Sequence, residues 1–150
     1  SYGANVEAEL GYIAKLNQKQ LHSGFTRPED ALRFTRETGV NALAVSIGTA
    51  HGFYREEPKL DIELLGRIRE AVETPLVLHG SSGVPDHSIV QAIRNGITKV
   101  NLATETKNAF MKKLKSELIS TDEIDLRIVF PKATDAAREL IRNKLLIITK

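Results

Sequence analysis

Three strand-like runs, each followed by a helical pattern, constrain the fold of this chain more than any other feature. The runs end at Ile47, Leu78 and Leu102. About 30 residues or slightly fewer separate successive runs, which is the length of one βαβ unit. Repeated units with short connections predict a parallel sheet with right-handed crossovers. The pattern therefore predicts an α/β fold.

Local signals place the individual elements. Alternating or continuous apolar residues predict strands over residues 5–10, 42–47, 76–78 and 97–102. Residues 12–25 are polar and are interpreted as a loop. Capping residues predict helices that begin near Thr26, Asp61, Asp86 and Thr104, and Thr26 forms a capping box with Glu29. Glycine stops predict that the first of these helices ends at Gly39 and the third at Gly96. A last helix is expected to begin near Asp135.

Two architectures fit repeated βα units: an open doubly wound sheet and a TIM barrel. The open sheet would carry a glycine fingerprint after its first strand, which residues 9–12 do not provide. Small and polar residues instead follow the later strands, as in TIM barrels. A complete barrel has eight strands and about 250 residues, whereas this chain has 150 residues. We therefore predict that residues 1–150 form one part of a TIM (β/α)8 barrel.

His51 and His79 each follow a buried strand, in Ala-His-Gly and Leu-His-Gly contexts. The carboxyl ends of parallel barrel strands share one rim, so the two imidazoles can converge on one metal ion, and histidine is a common zinc ligand. The alternative is a pair of structural loop histidines. His22 and His87 lie in polar contexts and are predicted to be surface residues.

Glu7 and Glu9 share one face of the first predicted strand. Glutamates that face a barrel interior are costly unless they are paired or bound to a metal. One of the two is therefore predicted to be a carboxylate ligand or a base. The alternative is an exposed strand face.

Three segments carry features of a phosphate site. Residues 80–83 (GSSG) offer backbone N–H groups and hydroxyls, residues 101–104 lead into a helix, and Gly52 is close in sequence to the cation Arg55. Each also has a simpler interpretation as a turn, a helix cap or a surface arginine. Their shared position after consecutive strands favours phosphate binding.

Composition excludes several classes of function. The net charge is +2 and aromatic residues make up 5% of the chain, so we expect no nucleic-acid partner. No run approaches the roughly 20 apolar residues of a membrane span, and no membrane partner is expected. The chain has no cysteine, which excludes thiolate zinc sites and fits a reducing cytoplasm. We predict a cytoplasmic protein.

Four segments in order resemble the class II, zinc-dependent ketose-bisphosphate aldolases: residues 6–11 (VEAELG), 47–54 (IGTAHGFY), 78–83 (LHGSSG) and 99–105 (KVNLATE). The last segment is more similar to the tagatose-bisphosphate branch than to the fructose-bisphosphate branch. The resemblance implies that the chain is the C-terminal half of the barrel, with strands 5–8 and their helices, and that the first half is absent from it.

The resemblance also implies roles for individual residues. His51 and His79 would bind Zn²⁺, and Glu9 would hold the metal in an alternative position. Dihydroxyacetone phosphate would contact a larger set: Gly52, Arg55, Gly80, Ser81, Ser82, Asn101, Leu102, Ala103 and Thr104. Asn101 would also hydrogen-bond the reaction intermediate. A further zinc histidine and an adjacent proton-transferring aspartate are expected upstream of Ser1.

The implied reaction is reversible aldol cleavage of tagatose or fructose 1,6-bisphosphate to dihydroxyacetone phosphate and glyceraldehyde 3-phosphate. Zinc would polarise the ketone as a Lewis acid. Because half a barrel exposes two sheet edges, we expect a missing first half, a second chain that completes the barrel, or an independent half-barrel assembly. A homo-oligomer is also expected. The alternative function is a non-catalytic, phosphate-binding half-barrel that serves as a partner subunit.

Overall fold

The computed structural model of the chain describes residues 2–13, 24–52, 54 and 56–149. The chain divides into two compact units, Ser1–Leu102 and Ala103–Lys150. Most of the segment 12–25, which was interpreted as a loop, lies outside the described residues.

The first unit is built on a parallel sheet. Its strands are β1 (Glu7–Leu10), β2 (Ala42–Val45), β3 (Leu76–Leu78) and β4 (Ile97–Val100). They lie side by side in chain order, and each neighbouring pair is parallel. The predicted α/β fold with a parallel sheet is confirmed. The order never reverses, so among the described strands there is no switch point of the kind found in doubly wound sheets.

Three helices connect the strands: α1 (Pro28–Thr38), α2 (Ile62–Ala71) and α3 (Asp86–Arg94). Leu43 and Val45 of β2 belong to one buried apolar cluster with Leu65 and Ile68 of α2. All four side chains are fully excluded from solvent, and such burial stabilises a fold by about 1.5 to 3 kcal/mol for each large aliphatic side chain. This cluster therefore fixes the helices against one face of the sheet.

Two of the predicted helix-end signals are confirmed. The side chain of Asp61 accepts a hydrogen bond from the backbone N–H of Leu64 at 2.8 Å and caps α2. Gly39 ends α1 in the left-handed conformation, with φ of 65°, and its N–H donates to the Thr35 carbonyl. A left-handed C-terminal residue is the conformation that glycine adopts without steric cost.

Two other capping predictions are wrong. Thr26 does not cap α1, because the N-cap is Arg27, which makes no side-chain cap hydrogen bond. The Thr26 hydroxyl instead takes part in tertiary hydrogen bonds. It donates to the Leu10 carbonyl at 2.6 Å and accepts from the Ser46 N–H at 2.8 Å. Asp86 is the first helical residue of α3 rather than its cap, which is Pro85.

The sheet contains one irregularity, between β3 and β4. Leu76 pairs with Ile97, but Val77 pairs with Lys99, so Thr98 is an extra residue on β4. The Thr98 hydroxyl donates to the Leu76 carbonyl at 3.0 Å. A bulge of this kind redirects the side chains that follow it. Lys99 consequently lies on the opposite face of the sheet from Ile97.

The second unit is a pair of helices, α4 (Thr104–Ser120) and α5 (Leu126–Ile148). Phe110 and Phe130 contact each other edge to face, and the buried carboxylate of Glu117 pairs with Lys113 and Lys132. The prediction that the last helix begins near Asp135 is wrong. Asp125 caps α5 by accepting a hydrogen bond from the Arg127 N–H, so the helix starts at Leu126.

Among the described residues, no helix combines the length and the apolar character that crossing a bilayer would require.

Candidate metal centre

The face of the sheet opposite the helix-packed cluster carries the acidic residues of β1. In the register, Glu7 lies opposite Ala42 and Glu9 lies opposite Ala44. Side chains two residues apart on a strand share a face. The alanines of β2 extend only a methyl group, so they leave room for longer side chains of β3 and β4 to reach the glutamates.

Glu9, His51 and His79 converge at the carboxyl ends of β1, β2 and β3. One ligand atom from each of the three lies within 4.8 Å of the other two. The carboxylate of Glu9 is 2.8 Å from Nδ1 of His79, and the two imidazole rings are 6.1 Å apart between centroids. The structure therefore brings together the two histidines predicted to share a metal and Glu9, which the family resemblance implied as a ligand.

The chemistry of this donor set fits zinc. Two imidazole nitrogens and one carboxylate oxygen form a set used by catalytic zinc sites, which keep a further position for water or substrate. His51 and Glu9 are exposed and His79 is half-buried. A structural zinc site has four protein ligands.

Glu7 contacts the other nitrogen of the same histidine. Its Oε1 is 2.9 Å from Nε2 of His79, and its Oε2 accepts a hydrogen bond from Nζ of Lys99 at 2.6 Å. The Lys99 ammonium first, and His79 second, hold the pKa of the Glu7 carboxyl below its ordinary value. Glu7 is thus an ionised hydrogen-bond acceptor beside Glu9, His51 and His79, and it does not belong to this group of candidate ligands.

Lys99 is the residue of this region that the sequence analysis missed. Strict alternation from the buried Ile97 would place Lys99 against the helices, and the bulge at Thr98 reverses its side. A lysine at a position that alternation assigns to the core is the signal that could have identified it.

A tyrosine joins the loops that carry the two histidines. The hydroxyl of Tyr54 accepts a hydrogen bond from the Ala50 N–H at 2.7 Å and lies 2.7 Å from the Gly80 carbonyl oxygen, to which it can donate. Burial raises the pKa of this tyrosine, which keeps its proton in place. The hydroxyl therefore connects the backbone beside His51 to the backbone beside His79.

Gly80 also determines how closely these loops approach each other. Its φ is 66°, and a Cβ at this position would lie 2.4 Å from the Ala50 carbonyl oxygen. No side chain fits at that distance, so glycine is required for the packing of one loop on the other.

The predicted phosphate residues of the first unit are near the same strand ends. Ser81 and Ser82 are buried, and the Ser81 hydroxyl donates to the Leu78 carbonyl within its own turn. Gly52 has a φ of 109° in the loop after β2. The Asn101 N–H donates to the Leu78 carbonyl at 2.9 Å, which holds the end of β4 against the end of β3.

The remaining predicted phosphate residues are distributed differently. Leu102 is half-buried and ends the first unit. Ala103 and Thr104 belong to the second unit, where they are the N-cap and the first residue of α4. Arg55 lies outside the described residues.

Among the histidines that the structure describes, His87 does not belong to the group of Glu9, His51 and His79. His87 is exposed in the first turn of α3, next to Asp86, as predicted for a surface residue. His22 lies outside the described residues.

A sequential parallel sheet with imidazole and carboxylate ligands at its strand ends defines an α/β protein with a candidate metal site on one rim. The particular family follows from comparison with known proteins. The family model for class-II fructose-bisphosphate aldolase matches residues 1–150. The chain belongs to this family.

Solved structures agree with this assignment. The YdjI aldolase from Escherichia coli K12 is 36% identical, with a TM-score of 0.81 over 97% of this chain and 50% of that one. A protein assigned as a fructose-1,6-biphosphate aldolase from Coccidioides immitis is 29% identical, with a TM-score of 0.85 over 98% of this chain and 53% of that one. The sheet and its helices are consistent with part of a TIM barrel.

A third structure shares the fold at lower identity. The fructose-bisphosphate aldolase from Campylobacter jejuni is 20% identical, with a TM-score of 0.75 over 98% of this chain and 52% of that one. The chain spans about half the length of each of these three proteins.

Proposed function

We propose that this chain forms part of a zinc-dependent aldolase that reversibly cleaves a ketose 1,6-bisphosphate to dihydroxyacetone phosphate and glyceraldehyde 3-phosphate. The observation that carries the proposal is the convergence of Glu9, His51 and His79 on one rim of the sheet. Membership of the class-II aldolase family supports the reaction class. Tagatose 1,6-bisphosphate and fructose 1,6-bisphosphate are the two proposed substrates.

In this proposal, Glu9, His51 and His79 hold Zn²⁺. Zinc supplies a Lewis acid that polarises the ketone carbonyl of the substrate. The surrounding chain fixes the ligands: Gly80 lets the two histidine loops pack closely, and the Tyr54 hydroxyl joins them. Asn101 follows β4 and is proposed to hydrogen-bond the reacting substrate.

The phosphate of dihydroxyacetone phosphate is proposed to bind the small residues that follow the strands. Backbone N–H groups beside glycine approach an anion closely, and the first turn of a helix attracts negative charge. The proposed contacts are Gly52, Arg55, Gly80, Ser81, Ser82, Asn101, Leu102, Ala103 and Thr104. Support within the first unit comes from the positive φ of Gly52 and Gly80.

We also propose that residues 1–150 are strands 5–8 of a (β/α)8 barrel together with their helices. The first half of that barrel would carry the further zinc histidine and the proton-transferring aspartate. The half-length coverage of the three solved relatives supports this arrangement. Cytoplasmic location and a homo-oligomer remain predictions from the sequence.

The test uses the full-length protein. We expect bound zinc by elemental analysis and cleavage of at least one of the two bisphosphates in a coupled assay. His79→Ala should remove most of the zinc, whereas the exposed His87→Ala is a matched control that should retain it. Intact protein with neither zinc nor turnover would contradict the proposal.

A second pair of variants separates substrate binding from metal binding. Ser82→Ala should weaken binding of dihydroxyacetone phosphate more than it weakens zinc binding, and Ser116→Ala on the exposed side of α4 should change neither. Calorimetry with and without a chelator gives both values. Phosphate-ester binding that does not depend on metal would support the non-catalytic half-barrel instead.

A further inference from the structure

His79 lies between two carboxylates, and this arrangement decides which of its ring nitrogens can bind a metal. Glu9 faces Nδ1 at 2.8 Å, and Glu7 faces Nε2 at 2.9 Å. Only Glu9 belongs to the group with His51. Because Glu9 faces Nδ1, the metal is assigned to the Nδ1 side of the ring.

A metal-bound imidazole is neutral and keeps one proton, on the nitrogen that does not bind the metal. An ionised carboxylate can only accept hydrogen bonds. A carboxylate of Glu7 beside Nε2 therefore favours the form in which Nε2 carries the proton and Nδ1 has its lone pair free. Carboxylate partners of this kind orient zinc-bound histidines in general.

Lys99 holds Glu7 in this role. Its ammonium is 2.6 Å from Oε2 of Glu7, which leaves Oε1 directed at His79.

The bulge in β4 is the independent observation. Without the extra residue Thr98, Lys99 would share the side of Ile97 and face the helices. The register shift moves Lys99 to the face that carries Glu7 and His79. Bulges next to functional sites commonly redirect one side chain, and here the redirected side chain is the one that meets Glu7.

We propose that Glu7, held by Lys99, is a positioning residue that fixes the Nε2–H form of His79 and presents Nδ1 to the metal. The inference rests on the proposed function only for the identity of the metal. It adds a role for two residues outside the ligand set, and its readouts are zinc affinity and proton position rather than turnover.

The experiment measures the zinc dissociation constant of the full-length protein by competition with a chromophoric chelator. Glu7→Ala should weaken zinc binding about 10- to 100-fold, the range found for partners of metal-bound histidines. Lys99→Met should weaken it less but in the same direction, and Lys99→Arg should restore part of the loss. Glu70→Gln on α2 and Lys107→Met on α4, both exposed, are matched controls expected to change nothing.

A second measurement reports the proton directly. Long-range ¹H–¹⁵N correlation spectra of ¹⁵N-histidine-labelled, zinc-loaded protein should show His79 protonated at Nε2 in the wild type. The His79 signals are assigned by their loss in His79→Gln. If Glu7→Ala fails to fold, Glu7→Gln keeps the side-chain volume, removes the charge, and should still lower the zinc affinity.

The outcomes distinguish this inference from the proposed reaction. An unchanged dissociation constant in the Glu7 variants, zinc on Nε2, or no zinc binding by the wild type would overturn the positioning role. Weakened zinc binding in Glu7→Ala, in a protein that cleaves neither bisphosphate, would support the positioning role and overturn the aldolase proposal.

Discussion

Replacing Thr26 with valine tests how the carboxyl ends of β1 and β2 are joined. The Thr26 side chain is 2% exposed, and its hydroxyl bonds to the Leu10 carbonyl and to the Ser46 N–H. Valine keeps the shape but leaves both backbone groups without this partner. A buried polar group left unpaired costs about 1 to 3 kcal/mol. We therefore expect the free energy of unfolding to fall by about 2 to 4 kcal/mol in total.

Thr35→Val is the matched control for this substitution. The Thr35 hydroxyl donates to the carbonyls of Ala31 and Leu32 within α1. Valine and threonine have similar helix propensities, and the carbonyls of a helix also accept backbone hydrogen bonds. Thr35→Val should therefore lower the free energy of unfolding by less than about 0.5 kcal/mol.

Urea denaturation followed by far-ultraviolet circular dichroism measures both variants. A loss of stability at constant compactness shifts the midpoint and leaves the slope unchanged. Equal midpoints for Thr26→Val and Thr35→Val would refute the reasoning, because they would show that the hydrogen bonds between strand ends contribute no more than those within a helix.

Two further predictions concern the site. Gly80→Ala should destabilise the protein and weaken zinc binding, because its Cβ would lie 2.4 Å from the Ala50 carbonyl oxygen. The control is Gly66→Ala on α2, where nothing lies within 4 Å of the added Cβ, and this variant should be more stable by about 0.5 to 1 kcal/mol. Thermal unfolding compares the two variants. The Lys99 ammonium lowers the pKa of Glu7 below its ordinary value of 4.5 in the folded protein. The ionised Glu7 therefore stabilises the fold above pH 4.5, and this stabilisation is lost as the pH falls through the lower pKa of the folded state. Glu7→Gln should therefore reduce the melting temperature at neutral pH, with a difference from wild type that shrinks in acid; a difference independent of pH would argue against this ion pair.

Local sequence signals were reliable where a short stretch contains all of the interacting groups. The Asp61 cap and the Gly39 stop involve atoms within four residues of each other, so their energies follow from neighbouring residues alone. The strands of continuous apolar residues were also predictable, because burial on both faces requires that composition. The convergence of His51 and His79 followed from the shared direction of parallel strands.

Local signals failed where distant groups compete for the same side chain. Thr26 has the residue type of a helix cap, but its hydroxyl bonds to Leu10 and Ser46 instead. These backbone groups at the strand ends take the place of the capping interaction, and Arg27 becomes the N-cap of α1. Leu10 and Ser46 are distant from Thr26 in the sequence, so no local pattern predicts these hydrogen bonds.

The apolar runs and their spacing along the chain predicted the parallel sheet and the placement of His51 and His79 at strand ends, and the family resemblance implied Glu9 as their companion. Only the tertiary structure decided that Glu7 faces Nε2 of His79 and that Lys99 reaches Glu7 from a strand 92 residues away. The physical reason is the register. A single extra residue at Thr98 reverses the side on which Lys99 lies, and the pairing of two strands depends on contacts that no short stretch of sequence contains.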